Sequence, residues 1–196
     1  MEARKFLDLM HLAENLKNNT RHSWTSAGRH ESVAEHCWRM TVMAYFVGDE
    51  FPQADRDKVI RMCMFHDMGE AFTGDIPAFE KQESHERTER QCVEDWIASL
   101  PEPYREDLAG LFREMEEQKT LEAKIYKALD KMEALISHNE ADISTWLPLE
   151  YELNLTYGKD QVQFSEYMKN LRAEINQDTL DKIEAEKSVG ERDNRQ

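Results

Sequence analysis

Residues that punctuate or cross-link a chain are scarce in this sequence of 196 residues, which has 7 glycines, 5 prolines and 3 cysteines. So few breakers argue against the many short strands of a sandwich or barrel, and neither a repeat nor a Gly/Ser/Pro-rich stretch separates domains. Cys37, Cys63 and Cys92 are odd in number, far apart and each set in a helical pattern. That excludes a disulfide framework or a thiolate zinc knuckle and leaves them as small core residues. Long apolar runs are missing too. Asp8 and His11 interrupt the first apolar residues, and no run approaches the length of a signal-peptide core or a membrane span. The expected location is the cytoplasm, with no membrane partner. Positive charge is the last shortage: 25 Lys and Arg face 40 Asp and Glu, for a formal net charge of −15. Gripping a nucleic-acid polymer requires cations against its phosphates, so no such partner is expected, although a small anion can still bind where a few cations converge.

What the chain does have is long amphipathic segments, which predict an all-α fold: a single compact multi-helix domain over residues 1–187, then a polar, disordered tail over 188–196. Phe6, Leu9, Met10, Ala13 and Leu16 form the stripe of a first helix over residues 3–18, and the polar stretch 19–31 reads as a loop. Ser32-Val33-Ala34-Glu35 has the form of a capping box and opens a second helix that Phe51-Pro52 ends. A third helix is expected over 55–72, and others over 82–99, 102–117, 119–139 and 160–187, with a weaker one between Trp146 and Tyr157.

The third helix carries the most informative residues. Met64-Phe65-His66-Asp67-Met68-Gly69-Glu70 is followed by Thr73-Gly74-Asp75-Ile76-Pro77. A His-Asp pair on a helix surface would mean little. Here Val59, Ile60, Met62, Cys63, Met64 and Phe65 precede it almost without a polar break, which marks a helix buried on more than one side. Turning by about 100° per residue, such a helix sends His66, Asp67 and Glu70 toward a common sector. A buried carboxylate is costly unless a cation meets it, and a divalent ion shared by imidazole and carboxylate would do so. This segment therefore reads as one wall of a metal site. Two further residues stand out: His36, at the end of Glu31-Ser32-Val33-Ala34-Glu35-His36, and Asp130, which has Ala123, Tyr126, Leu129, Met132 and Ile136 around its helix face.

His36, then His66-Asp67, then Asp130 is the order that defines the HD-domain metal-dependent phosphohydrolases, an all-helical superfamily, and the chain resembles them over nearly its whole length. The E-S-V-A-E-H start, the H-D-x-x-E helix, the G-D-I-P turn and the late L-D-K-M-E segment look like the 5′-deoxynucleotidase branch, which removes phosphate from deoxynucleoside 5′-monophosphates. The resemblance implies that His36, His66, Asp67 and Asp130 hold one divalent ion; this mixed N/O set suits Mn, Co, Fe or Zn. It implies that Glu70 and Asp75 are catalytic, orienting or deprotonating water and assisting the departing 5′-oxygen. It further implies that Arg21 holds the phosphate through paired hydrogen bonds, with Trp24 or His22 at the sugar or base; this chain has His22 directly after the arginine, where bacterial relatives often have Trp. Arg29 is a second cation in the same loop.

The remaining histidines His11, His30, His85 and His138 read as surface or packing residues, the methionines as core filling and Glu114 to Glu117 as a solvated helix face. The expected function is hydrolysis of a small nucleotide, a deoxynucleoside 5′-monophosphate, by a homodimer. Relatives of the branch form such dimers, and Trp146 and Tyr151 look exposed. The alternatives are another HD activity, on nucleoside triphosphates, cyclic nucleotides or alarmones, and a non-catalytic metal- or nucleotide-binding regulator. Intact Glu70 and Asp75 weigh against the regulator, which has no need of proton-transfer groups.

Overall fold

The structure, a computed structural model, describes residues 1–193. The chain's contacts fall into two units, Met1–His22 with His30–Tyr126, and Ser23–Arg29 with the chain from Lys127 onward; the domain expected over 1–187 includes both.

In the first unit, α1 (Ala3–Asn18) buries little of its expected stripe: Leu16 is buried, while Phe6 and Met10 are about half exposed. The expected loop after it contains instead a small ribbon, β1 (Thr20–Trp24) paired with β2 (His30–Ser32). These strands, TRHSW and HES, lack an apolar alternation, so the usual strand signal is missing. Gly28, at φ +77°, supplies the left-handed residue of the connecting turn. At the head of α2 (Val33–Val47) the capping box forms as expected, the Ser32 hydroxyl accepting from the Glu35 amide at 3.2 Å and the Glu35 carboxylate from the Ser32 amide at 2.9 Å. Val33, Cys37, Met40, Ala44 and Val47 line one face of α2 at helical spacing, and His36 is buried beside them.

Asp55 caps α3 (Arg56–Phe65), which packs against α2 and buries Val59, Met62 and Cys63. The single helix expected over 55–72 is broken: α3 stops at Phe65, a turn carries residues 66–69, and α4 (Glu70–Thr73) follows. Then come α5 (Glu83–Ala98), α6 (Tyr104–Glu117) and the first residues of α7 (Leu121–Glu140).

The second unit contains the rest of α7, α8 (Glu150–Thr156) and α9 (Glu166–Asp193). Its apolar core includes Leu129, Met132, Leu135, Val162, Met168 and Ile175. Arg172 of α9 is 4% exposed and donates to the Tyr157 carbonyl at 2.9 Å and the Asn154 carbonyl at 3.0 Å. Those are C-terminal carbonyls of α8 that no helical amide can reach. Trp146, expected to be exposed, is buried at 7%; its indole donates to the His138 carbonyl at 3.0 Å, and its ring meets Tyr151 edge-on at 5.4 Å. Tyr151 is half-buried and donates to Glu186. A large amphipathic ring pays best when its body is packed and its N–H is bonded. α9 begins at Glu166 rather than 160 and continues to Asp193, into the segment expected as a tail, whose residues 194–196 lie outside the described residues. Among the described residues no helix is long and apolar enough to cross a membrane.

Candidate metal centre

The helix break is what shapes the site. Met68 N bonds Phe65 O, Glu70 N bonds Asp67 O and Phe72 N bonds Gly69 O, each at 3.0 Å, so the backbone tightens from i−4 to i−3 bonding after Phe65. With about three residues per turn, side chains three apart eclipse, which stacks Asp67 and Glu70 on one side. Their grouping thus comes from a tightened turn, in place of the regular helix expected. Neighbouring elements hold that turn. A Cβ on Gly69 would lie 2.4 Å from Glu89 Cγ and 3.1 Å from Val93 Cγ2, so only glycine lets α5 approach this closely. From α1, the Asn19 and Asn15 amides donate to the carbonyls of Glu70 and Ala71 at 2.6 and 2.9 Å.

His36, His66 and Asp67 present ligand atoms that all lie within 4.8 Å of one another. Asp67 Oδ2 is 3.0 Å from His66 Nε2 and 3.8 Å from His36 Nε2, and the two imidazole centroids are 5.3 Å apart. The Cys63 carbonyl lies 3.0 Å from His66 Nδ1; a carbonyl only accepts, so this nitrogen carries the hydrogen and Nε2 turns its lone pair inward. A lone pair facing a carboxylate at 3.0 Å requires a positive charge between or beside them. The donor set fits a divalent transition-metal ion. Without one, a proton takes the place. Burial alone would push the His66 pKa down, but the charges and hydrogen bonds of Asp67 and Cys37 outweigh it and hold the pKa well above the ordinary value.

Acidic groups crowd the same turn. Glu70 is 6% exposed, and its Oε2 is buried without a hydrogen-bond partner. Burial first, then the charges of Asp67, Asp75 and Glu89, push its pKa up to about 10. Asp75 is raised as well, chiefly by burial and against the lowering charge of Arg21. Lys81 pairs with Glu89 at 2.6 Å, and its charge reaches Asp75. Arg21 donates to Glu31 at 2.9 Å and carries a positive charge that Glu70 and Asp75 both feel.

The other expected residues fall as follows. Asp130 belongs to the second unit, where its carboxylate is 2.9 Å from Lys127 Nζ and 3.4 Å from Lys131 Nζ. Trp24, half-buried, and Arg29, exposed, also belong to that unit. His22 meets Phe79 edge-on at 5.5 Å. Sequence reasoning missed Asn15, Asn19, Lys81 and Glu89, and it treated Glu31 only as part of a motif. Polar residues near helix ends and in charged stretches look alike until packing turns one of them inward.

The HD domain family matches residues 13–172 of the chain. Among curated proteins, the human 5′-deoxynucleotidase HDDC2 is 36% identical over 143 residues, covering 70% of this chain and 69% of its own. The 5′-deoxynucleotidase hdd1 of Schizosaccharomyces pombe is 29% identical over 168 residues, 82% of this chain and 77% of that protein. Among solved structures, one from Magnetospirillum magnetotacticum described as a predicted metal-dependent phosphohydrolase superposes with a TM-score of 0.76 at 21% identity, covering 92% and 93% of the two chains. A conserved hypothetical protein of Pyrococcus furiosus gives 0.70 at 28% identity, covering 87% of this chain and 99% of its own.

Proposed function

The chain belongs to the HD domain family, and from that membership we propose that it is a metal-dependent phosphomonoesterase that hydrolyses deoxynucleoside 5′-monophosphates to deoxynucleoside and phosphate. Its curated relatives carry the 5′-deoxynucleotidase name. The observation that carries the reading in this chain is the group of buried His36 with partly buried His66 and Asp67, beside two carboxyls with raised pKa values.

His36, His66 and Asp67 would hold the ion, with Asp130 as the fourth ligand; Mn, Co, Fe and Zn all suit that set. When bound, it would supply a Lewis acid for the phosphoryl oxygens and lower the pKa of a water. Arg21 takes the phosphate dianion through its planar guanidinium, offsetting the long-range repulsion of a chain with net charge −15. Glu70 and Asp75 divide the proton work. Water attacks phosphorus as the bond from phosphorus to the nucleoside 5′-oxygen breaks; a carboxylate takes the water's proton and a carboxylic acid protonates the leaving oxygen. Two carboxyls with raised pKa values, Glu70's to about 10, suit that exchange. Trp24 contacts the sugar or base.

Phosphate release from a panel of nucleotides by the metal-loaded protein tests this reading. Deoxynucleoside 5′-monophosphates are expected to be preferred over ribonucleotides and 3′-monophosphates. Equal hydrolysis of ribo- and deoxyribonucleotides, or activity confined to triphosphates or cyclic esters, would reject it. The enzyme acts as a cytoplasmic homodimer in this reading. With Trp146 buried, the dimer rests on the resemblance alone, and light scattering that finds only monomer at micromolar concentration removes it.

A further inference from the structure

Two arginines converge on one buried carboxylate beside the phosphate-holding residue. Glu31 of β2 is 5% exposed. Its Oε2 accepts from Arg21 of β1 at 2.9 Å, and its Oε1 faces the guanidinium of Arg39 of α2 at 3.7 Å. Three separate elements therefore meet at this single side chain. A carboxylate this deeply placed is tolerated because guanidinium groups face both its oxygens, and in return it restrains both cations.

The location gives the arrangement a consequence beyond packing. Arg21 is mostly buried, and its positive charge is felt by Glu70, Asp75 and Cys37, the first two being the acids assigned to proton transfer. Arg39 lies one turn beyond His36 on α2, a helix whose head is fixed by its capping box. A guanidinium has five donors arranged along two edges. The Arg21 bond to Glu31 restrains the guanidinium in an orientation that a flexible side chain would otherwise have to acquire when substrate binds.

We propose that Glu31 is a positioning residue for the substrate phosphate: its two carboxylate oxygens tie Arg21 and Arg39 into one unit, so that Arg21 meets the phosphate in a set orientation. This rests on the phosphomonoesterase reading. It also makes a prediction opposite in sign to simple electrostatics. Glu31→Gln removes a negative charge next to an anion site, so charge alone would tighten phosphate binding and lower KM. Loss of positioning instead weakens both.

The test measures inorganic phosphate binding to the metal-loaded full-length protein by calorimetry, together with KM and kcat for a deoxynucleoside 5′-monophosphate and the melting temperature. Glu31→Gln is expected to weaken phosphate binding and raise KM by roughly 5- to 20-fold, with a smaller change in kcat. Glu31→Asp, which keeps the charge but shortens the reach, should fall between; it also serves if the Gln variant does not fold. In an Arg21→Gln background the Glu31→Gln change should add little, because the two residues act through one contact. Unchanged or tighter phosphate binding in Glu31→Gln, or full additivity with Arg21→Gln, would overturn the proposal. So would a fall in melting temperature as the sole effect of Glu31→Asp. Calorimetry needs no turnover, which separates the two readings: phosphate binding that depends on Glu31 in a protein inactive on deoxynucleotides would sink the assigned substrate and leave Glu31 in its role.

Discussion

Glu70 in the first unit and Glu150 in the second are both buried carboxylates, 6% and 1% exposed, yet their surroundings are opposite. Glu150 is met by a donor: the Leu147 amide bonds Oε2 at 2.6 Å, and His138 Nδ1 lies 3.6 Å from Oε1. Arg172 closes the end of α8 in the same manner, donating to the Tyr157 and Asn154 carbonyls. Glu70 is met by acids, Asp67, Asp75 and Glu89, and its Oε2 has no hydrogen-bond partner. Around Glu150 and Arg172, one region has paired its polar groups to stabilise the fold. The other has left a group that only an added cation or a retained proton can satisfy, and such strained placement marks chemistry more often than architecture.

Substitutions can break this contrast from either side. The largest effect is expected at the proposed ligands: His66→Ala or Asp67→Ala should remove the metal and lower kcat/KM beyond the roughly 100-fold typical of groups that merely support a ligand. Metal analysis and steady-state kinetics check it, and full occupancy with normal turnover in either variant would remove that residue from the set. Next, Glu70→Gln should keep the metal yet reduce kcat by about 100-fold or more, as loss of a general acid or base does.

The same variant should act on stability in the opposite direction. Glu70 keeps its proton in the fold to about pH 10, whereas the unfolded chain releases it near 4.5. The unfolded state therefore binds fewer protons in that window, and this group's contribution to stability is complete at low pH and lost as pH rises. Metal-free wild-type protein should lose stability across the window relative to Glu70→Gln, as followed by chemical denaturation at several pH values; parallel curves would show that Glu70 is not buried among acids. Glu150→Ala is the counterpart, expected to cost about 2 kcal/mol by stranding the Leu147 amide, with kcat per folded molecule unchanged. A variant of Glu150 that folds normally but loses turnover would erase the distinction between the regions.

The smallest effect is predicted at the brace of the turn. Asn19→Ala should cost about 1 kcal/mol through loss of the bond to the Glu70 carbonyl, and lower kcat a few-fold as the turn loosens; thermal melts and kinetics on the same preparation read both.

Much of this contrast could be read before the structure. Helical periodicity located α2, α5, α6 and α7 to within a few residues, and the Ser32–Glu35 capping box formed at its expected place. The helix before His66-Asp67 buries Val59, Met62 and Cys63 but is not buried on more than one side as expected, since Met64 is 48% exposed. The break after Phe65 escaped because Val59 to Phe65 reads as continuous helix, and a change from i−4 to i−3 bonding leaves no mark on hydrophobic spacing. The ribbon escaped because its strands are polar. Trp146 was misjudged as exposed since aromatic residues in a short irregular segment show no period. Glu31 lay beyond sequence reasoning because a glutamate in a polar stretch is normally solvated, and Glu150, although it follows Leu147-Pro148-Leu149, belongs to a short segment without a period; only three-dimensional packing turns either inward.

The central claim is that the group of His36, His66 and Asp67 is satisfied by a divalent ion that enables phosphoester hydrolysis. The most direct measurement strips the protein of metal, then titrates a divalent ion back while following melting temperature and phosphate release from a deoxynucleoside 5′-monophosphate in parallel. Both are predicted to rise with one midpoint in the wild type, and neither to respond in Asp67→Ala. Full hydrolysis by the stripped protein, or an equal gain in melting temperature for Asp67→Ala, would contradict it.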